Sequence, residues 1–305
     1  MKNNLFQKMI KGVGIFLGLL IGLLLIAVVS LYLYTDQQLN QQYFFSIKPI
    51  QITNNPETIE RGNHLVENIA FCTDCHGDNL AGQIFDDGPM VGLLSVPNLT
   101  SGEGGIGRRY SNEDWVRAIR YGVGPDQRSL LGMASNFYYV LSDEDLAAVI
   151  AYVKSVPPVD NVLPPTKMGP MGRLLIIQDP TILPARVIDR NQQHPGAPEV
   201  GPTVEYGAYL GSFCTMCHGP DFSGGPNPGA GLNITPGGNI GHWNYDQFVQ
   251  TIRTGRTPEG NELDPEMMPY DKLSNLSEVE LQAIWLYLQT IPPIESPELT
   301  PGVQQ

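Results

Sequence analysis

The chain has 305 residues, of which 42% are hydrophobic, and it contains 33 glycines and 26 prolines. This length allows about two domains with their own cores, and the hydrophobic content excludes a chain that is disordered throughout. The net charge is −13, which argues against nucleic acid as a partner.

The N-terminal segment differs in kind from the rest of the chain. Lys2, Lys8 and Lys11 precede an uncharged run over residues 12–35 that is dense in Leu, Ile and Val and long enough to span a bilayer. A cleaved signal peptide is the alternative, but its apolar region usually has only about 7–15 residues. We therefore expect residues 1–11 in the cytoplasm, an uncleaved transmembrane anchor over 12–35, and the remainder on the outer face, by the positive-inside rule.

The part of the chain beyond the anchor is strongly acidic. All 31 acidic residues but only 15 of the 18 basic ones follow residue 35, which leaves this part with a net charge of −16. That charge disfavours anionic lipid as a partner. It fits equally well a general aid to solubility and electrostatic docking to a basic patch on a redox protein.

Two five-residue motifs carry the chemistry of the sequence. Cys72-Thr73-Asp74-Cys75-His76 follows a predicted helix over residues 57–70, and Cys214-Thr215-Met216-Cys217-His218 follows one over residues 204–213. On a helical turn, positions i, i+3 and i+4 share one face, so two thiols and one imidazole can serve one porphyrin. Cys-x-x-Cys-His is the attachment site of a c-type haem, and the two copies predict two haems and use all four cysteines.

Two other uses of paired cysteines fit less well. A four-cysteine zinc site places its pairs about 15–20 residues apart, much closer than Cys75 is to Cys214. A thioredoxin-like pair follows a strand and does not require a histidine directly after the second cysteine in both copies.

The segments that follow each motif repeat as well. Pro97-Asn98-Leu99-Thr100 corresponds to Leu232-Asn233-Ile234-Thr235, and each run precedes a predicted middle helix, which Ser111 or Asn244 caps and Gly122 or Gly255 ends. Predicted capping boxes at Ser142 and Ser277 open a last helix, which ends before a Pro-Pro pair. The pattern predicts a duplicated three-helix, all-α domain over residues 56–158 and 203–294.

Two segments lie outside the repeat. Residues 159–202 are rich in proline but contain apolar runs, so we predict a semi-rigid strap that packs on both domains rather than a free linker. Residues 295–305 form a C-terminal tail.

The repeat also selects the candidate sixth ligands of the two irons. Met133 lies thirteen residues before Leu146, as Met268 lies thirteen before Leu281. Methionine keeps a cytochrome iron six-coordinate and raises its potential. Met267 is a neighbouring competitor without an equivalent in the first half, and Ala134 follows Met133 where Pro269 follows Met268.

Other residues are candidates for supporting roles. Arg120 and Arg253 correspond and are predicted to pair with haem propionates, with plain solvent exposure as the alternative. The proximal imidazoles of His76 and His218 need an acceptor for their second N–H, and we expect a backbone carbonyl near Pro97 or Leu232. Among the rival ligands His64, His194 and His242, we expect His64 to have a surface or propionate role.

These motifs together resemble the class I c-type cytochromes, over about residues 56–158 and 203–294. The chain looks most like the membrane-anchored di-haem cytochromes, and similar domains occur as haem subunits of periplasmic dehydrogenases. The resemblance implies two covalently attached haems, with iron bound by His76, Met133, His218 and Met268, that pass single electrons between a donor and an acceptor protein.

Another class of function stays open at this point. A di-haem peroxidase or a thiosulfate-type haem oxidoreductase would need one iron with an exchangeable position and acid or base groups near it. A methionine in both halves favours the electron carrier.

Overall fold

The computed structural model describes residues 2–191, 194, 196–225 and 230–297, so most of the predicted C-terminal tail lies outside the described residues. The first element, α1 (Lys2–Leu39), is longer than the predicted anchor, and its C-terminal end contacts the rest of the protein. Its portion Phe6–Leu39 is long and apolar enough to cross a membrane, and none of its most apolar window is buried in the protein.

The first domain is built from helices whose ends the sequence marks. It contains α2 (Pro56–His64), a π-helical turn (Leu65–Ile69), α3 (Cys72–His76), α4 (Asn112–Tyr121), α5 (Ser135–Tyr138) and α6 (Asp143–Ser155). Ser111 caps α4 in a capping box with Asp114, and Gly122 ends it in the left-handed conformation, as predicted. Ser142 caps α6 in one direction only, so the predicted reciprocal box with Asp145 does not form.

The second domain repeats this plan. Its helices are α8 (Val204–Gly211), α9 (Thr215–His218), α10 (Tyr245–Thr254), α11 (Tyr270–Leu273) and α12 (Glu278–Leu288), and a 3-10 turn (Ser212–Cys214) connects α8 to α9. The predicted capping box of Ser277 with Glu280 is present, and Asn244, a predicted cap, forms a second box with Gln247.

The first and last helices of each domain cross at a glycine. A Cβ added to Gly62 would overlap the carbonyl of Ala148, and one added to Gly207 would overlap the carbonyl of Ala283. The missing side chain lets the two backbones touch, which closes the core around buried residues such as Leu146 and Leu281.

The prediction of an all-α fold holds for both domains except for one small sheet. Strands β1 (Gln83–Asp86) and β2 (Gly92–Val96) pair antiparallel, and β2 pairs antiparallel with β3 (Lys167–Met168). The strands are short and lack alternating patterning, so no strand signal stands out in the sequence.

The strap packs on the first domain. It contains β3, α7 (Pro170–Gln178) and buried Ile176 and Leu183, and its described contacts go to the first domain and to α1. For example, Tyr139 donates to the carbonyl of Asp189 and Gly132 to that of Ile182. The described contacts thus join the strap to the first domain, and its packing on the second domain stays a prediction.

The two domains instead contact each other directly, through the first turns of their last helices. Arg61 of the first domain forms two hydrogen bonds with Asp145, at 2.9 and 2.8 Å, and reaches Glu280 of the second at 3.4 Å. His64 bonds the same Glu280 carboxylate at 2.9 Å, and Tyr209 of the second domain donates to Asp145 at 2.7 Å.

This interface corrects two predictions. His64 is not a surface residue but contacts Glu280 across the domain interface, and a propionate contact of His64 stays a prediction. Asp145 does not complete the predicted capping box, because its carboxylate accepts hydrogen bonds from Arg61 and Tyr209 instead.

Candidate haem attachment sites

Each Cys-x-x-Cys-His motif forms a short helix directly after the first helix of its domain. In the first domain the chain enters this helix through Phe71, whose φ of 50° is rare for a residue with a side chain. The π-helical turn and this left-handed residue turn the chain sharply before Cys72, and the Tyr138 hydroxyl holds the turn by donating to the carbonyl of Ala70 at 2.8 Å. In the second domain a single 3-10 turn makes the same connection.

Both motif histidines are buried and held by one backbone carbonyl. His76 Nδ1 lies 3.0 Å from the carbonyl oxygen of Pro97, and His218 Nδ1 lies 2.6 Å from that of Leu232. These are the acceptors that the sequence predicts. Burial lowers the pKa of both imidazoles, and the hydrogen bond to the carbonyl opposes this shift. With Nδ1 donating, Nε2 keeps a free lone pair, the form that an iron ligand requires.

The repeated Asn-x-Thr segments fix these carbonyls, a role that sequence reasoning missed. Asn98 accepts from the Thr100 N–H and donates to the carbonyl of Val159 at 2.8 Å. In the second domain, Asn233 accepts from the Thr235 N–H and donates to the carbonyl of Ile294 at 2.7 Å. Both asparagines are buried, so each pins the loop after Pro97 or Leu232 to the chain just beyond the last helix. The recurrence of Asn and Thr at the same spacing in both halves of the sequence was the signal that could have indicated this role.

The four cysteines form no disulfide with one another. Burial raises the pKa of Cys72 and of Cys214 to about 12, so both are protonated at neutral pH. Cys75 and Cys217 are more exposed. Each motif thus presents a thiol, a second thiol one turn later and an adjacent buried imidazole, the donor set for covalent haem.

The structure distinguishes the candidate methionines by burial. Met133 and Met268 pack against the hydrophobic core, whereas Met267 is 53% exposed. The two core methionines share one local conformation: Ser135 donates its N–H to the carbonyl of Met133 at 2.8 Å, and Tyr270 to that of Met268 at 2.6 Å. Each then leads into a four-residue helix, α5 or α11. This equivalence supports the predicted ligand pair.

The alanine that replaces proline in the first domain leaves the backbone unchanged. Ala134 has φ −76° and ψ 36°, close to the φ −74° and ψ 60° of Pro269. The presence of Ala134 where the second domain has Pro269 therefore leaves the turn at Met133 intact.

Arg120 and Arg253 correspond in structure as well as in sequence. Arg120 is buried and donates to the carbonyl of Leu141 at 2.7 Å and to Asp143 at 2.7 Å, and Arg253 donates to the carbonyl of Ser274. Both guanidinium groups tie the middle helix to the loop before the last helix. Because Arg120 is buried, the alternative of plain solvent exposure is wrong for this residue. A contact of Arg120 or Arg253 with a haem propionate stays a prediction.

A buried donor in the first domain also fits a bound cofactor. The Trp115 indole N–H is buried and has no hydrogen-bond partner among the described residues. Buried donors in proteins are normally paired, and a haem propionate is an acceptor of the required kind. The residue at the corresponding position of the second domain is Phe248, which has no such donor.

The two attachment motifs lie close together across the domain interface. Lys272 of α11 bonds the Asp74 carboxylate inside the first motif and donates to the Thr73 hydroxyl at 3.0 Å. Burial raises the pKa of Cys217 and the charge of Asp74 raises it further, so the first motif lies within electrostatic range of the second. The side chains of Tyr138 and Phe213 pack nearby, with ring centroids 6.5 Å apart.

Comparison with known proteins finds matches for both domains. Residues 59–157 match the family model for cytochrome c, and residues 206–288 match that for cytochrome c oxidase, cbb3-type, subunit III. The fructose dehydrogenase cytochrome subunit of Gluconobacter japonicus is 28% identical over 80% of this chain and 55% of its own length. The gluconate 2-dehydrogenase cytochrome c subunit of Pantoea cypripedii is 28% identical over 78% of this chain and 60% of its own length.

A third relative, the cytochrome c subunit of a quinone-type alcohol dehydrogenase from Gluconobacter oxydans, is 26% identical over 77% of this chain and 55% of its own length. The chain thus spans little more than half the length of these relatives. Together with the buried histidines and their carbonyl partners, the matches show that this chain contains two cytochrome c domains in tandem, a domain type that carries covalently attached haem c.

Proposed function

We propose that the chain carries single electrons through two covalently attached haems, as the haem subunit of a membrane-bound dehydrogenase on the outer face of the cytoplasmic membrane. The observation that supports this most strongly is the duplication of one complete site: a motif with a buried imidazole, a carbonyl that orients it, and a core-packed methionine. The three relatives, all cytochrome subunits of dehydrogenases by name, support the assignment to such a complex.

The protein's own residues would prepare each site for this role. Cys72, Cys75, Cys214 and Cys217 would hold the haems, which supply one-electron chemistry when bound. His76 and His218 keep Nε2 deprotonated because their Nδ1–H groups are engaged, and Met133 and Met268 would close the sixth position. A closed position leaves no place for a substrate, which favours a carrier over a peroxidase or thiosulfate-type enzyme.

The helix α1 would keep this carrier at the membrane. Its apolar length supports an uncleaved anchor, and the lysines that precede the run support a cytoplasmic N-terminus. Confinement to the surface raises the local concentration of membrane partners, which shortens the search for a donor or acceptor.

Haem content tests the central part of this proposal. The pyridine haemochrome spectrum of the purified protein should give two haems per chain. The double variants Cys72→Ala/Cys75→Ala and Cys214→Ala/Cys217→Ala should each give one, and Met216→Leu, which changes the second motif without touching a thiol, should keep two. A wild-type value of one haem would refute the di-haem proposal.

Two further measurements test the role and the partner. Reduced wild-type protein should not bind carbon monoxide, and binding at one haem would favour the enzyme instead. Mild solubilisation of membranes should co-purify a dehydrogenase catalytic subunit with this chain, and recovery of the chain alone would argue against a stable complex.

A further inference from the structure

The helix α7 of the strap has an apolar side that the protein does not cover. Gly172 and Ile176, four residues apart, face the protein and are buried. On the other side, Met171, Leu174, Leu175 and Ile177 are between 38% and 44% exposed. This side of the helix carries no charge, although the part of the chain after residue 35 has 31 acidic residues.

This helix packs against the end of α1. Arg173 donates to the Thr35 hydroxyl at 2.7 Å and to Asp36 Oδ1 at 2.7 Å, and its guanidinium lies 4.1 Å from the centroid of the Tyr32 ring. Asp36 is the first charged residue after Lys11 and therefore marks where the apolar run ends. Tyrosines such as Tyr32 are enriched at the level of lipid headgroups. The contacts of Arg173 thus place α7 at the depth where the bilayer meets water.

A neighbouring loop extends the uncovered surface. The Met171 N–H donates to the carbonyl of Met90 at 2.9 Å, and Met90 is itself 56% exposed. We call Met90, Met171, Leu174, Leu175 and Ile177 the apolar strap surface.

We propose that the apolar strap surface contacts the outer leaflet of the membrane, with α7 lying in the interfacial zone beside α1. Arg173 holds α7 against the end of α1, so a bilayer that surrounds α1 would also meet α7. Helices that lie in the membrane interface bury an apolar face about 5–10 Å into the boundary between headgroups and acyl chains. Its partner is the apolar part of the lipid rather than an anionic headgroup, because Arg173, the one basic residue of α7, is already paired with Asp36.

The proposal has a consequence for function and rests on the proposed anchor. A lone transmembrane helix would hold the domains at one place only, so they could still tilt relative to the bilayer. A second membrane contact through α7 would hold the first domain at one height and orientation. Electron exchange with an integral membrane partner would then start from one presented face.

Site-directed spin labelling of the full-length haem-loaded protein in phosphatidylcholine nanodiscs tests the proposal. The four native cysteines carry haem, so Leu174→Cys introduces a single free thiol, and Leu175→Cys provides an independent repeat. Leu286→Cys on α12 is the matched control, since Leu286 is 36% exposed and Leu174 38%. Leu25→Cys, within the apolar run, reports on the anchor. The ratio of accessibility to oxygen over a water-soluble nickel complex is the readout.

We expect a ratio at position 174 several-fold above that at 286 and closer to that at 25. If the labels at 174 and 175 match the label at 286 while that at 25 lies in lipid, the proposal is overturned and the anchor stands. If the labels at 174 and 175 are shielded from both reagents, a protein covers the surface and the proposal is likewise overturned. If the segment that contains position 25 proves to be cleaved, the anchor fails, and a high ratio at 174 would still establish the lipid contact.

Discussion

The two domains hold the same site in loops of different length, and this contrast shows which parts of the site are constrained. From the crossing glycine to the first cysteine there are ten positions in the first domain, Gly62 to Cys72, but seven in the second, Gly207 to Cys214. From the motif histidine to its carbonyl partner there are 21 positions in the first domain and 14 in the second.

The first domain absorbs these extra residues without changing the site. The three before the motif are accommodated by the π-helical turn and the left-handed Phe71, and the seven after it lie in the loop that contains β1 and β2. That sheet in turn attaches the strap through β3. The comparison shows that the helix crossing, the asparagine clamp and the methionine turn fix the site, while loop length provides attachments to other parts of the molecule.

Replacing Met133 or Met268 with alanine should have the largest effect, a change in haem potential, and would show whether the two sites are equivalent. Met268→Ala and Met133→Ala should each lower the potential of one haem by about a tenth of a volt or more, because axial ligands tune haem potentials over about 0.8 V. Potentiometric titration followed in the visible spectrum measures both haems.

The neighbouring methionine gives a matched control for this experiment. Met267→Ala removes an exposed side chain adjacent to Met268 and should leave both potentials unchanged. A shift with Met267→Ala and none with Met268→Ala would reverse the assignment.

Adding a side chain at Gly62 or Gly207 should disturb the crossing of the first and last helices, which both domains share. Gly62→Ala and Gly207→Ala each place a Cβ against a backbone carbonyl that cannot move without shifting the last helix, so we expect a loss of about 1–3 kcal/mol in the free energy of unfolding. Urea denaturation followed by circular dichroism measures this loss.

The glycine variants also need a control for the intrinsic effect of alanine. Gly196→Ala, where a Cβ would meet nothing within 4 Å, should not destabilise the protein. Equal effects at all three positions would show that the helix crossings are not the constraint.

The interdomain carboxylate of Glu280 should make the stability of the protein depend on acid. Burial alone would raise the pKa of Glu280, but hydrogen bonds from His64 and Ser277 lower it to about 2, below its ordinary value of 4.5. A lowered pKa contributes stability that is fully present above pH 4.5 and is lost as the pH falls toward 2. Glu280→Gln should therefore cost about 1–3 kcal/mol at pH 7 and flatten the loss of stability over that acid range.

Asp145→Asn provides the comparison on the other side of the interface. It removes an acceptor of Arg61 and Tyr209 and should also weaken docking of the domains. Thermal unfolding between pH 2 and 7 measures both variants, and an unchanged acid profile in Glu280→Gln would contradict the role of Glu280.

The smallest expected effect tests whether the two methionine turns are the same. Ala134 already has a backbone angle that proline adopts, so Ala134→Pro should stabilise the protein by about 0.4–1 kcal/mol through a less flexible unfolded chain. Pro269→Ala should destabilise it by a similar amount. Calorimetry that showed Ala134→Pro to be destabilising would mean that the turns differ.

Most of the helical framework follows from local signals. The caps at Ser111, Asn244 and Ser277 and the glycine ends at Gly122 and Gly255 lie where the sequence predicts them, because caps depend on neighbouring residues only. The sheet and the contacts of the strap were not predictable in this way, since they depend on residues that are far apart in the chain, such as Leu93 and Lys167.

The sequence by itself determined the number of attachment motifs, the register that pairs Met133 with Met268 and the carbonyls that orient His76 and His218, because each is a matter of spacing along the chain. Only the tertiary structure decided that His64 and Glu280 join the domains, that Arg120 braces a loop, that Met267 lies in solvent and that α7 meets the end of α1. Those outcomes depend on which surfaces face each other after folding, and the free energy of burying them is a property of the packed chain rather than of any local run of residues.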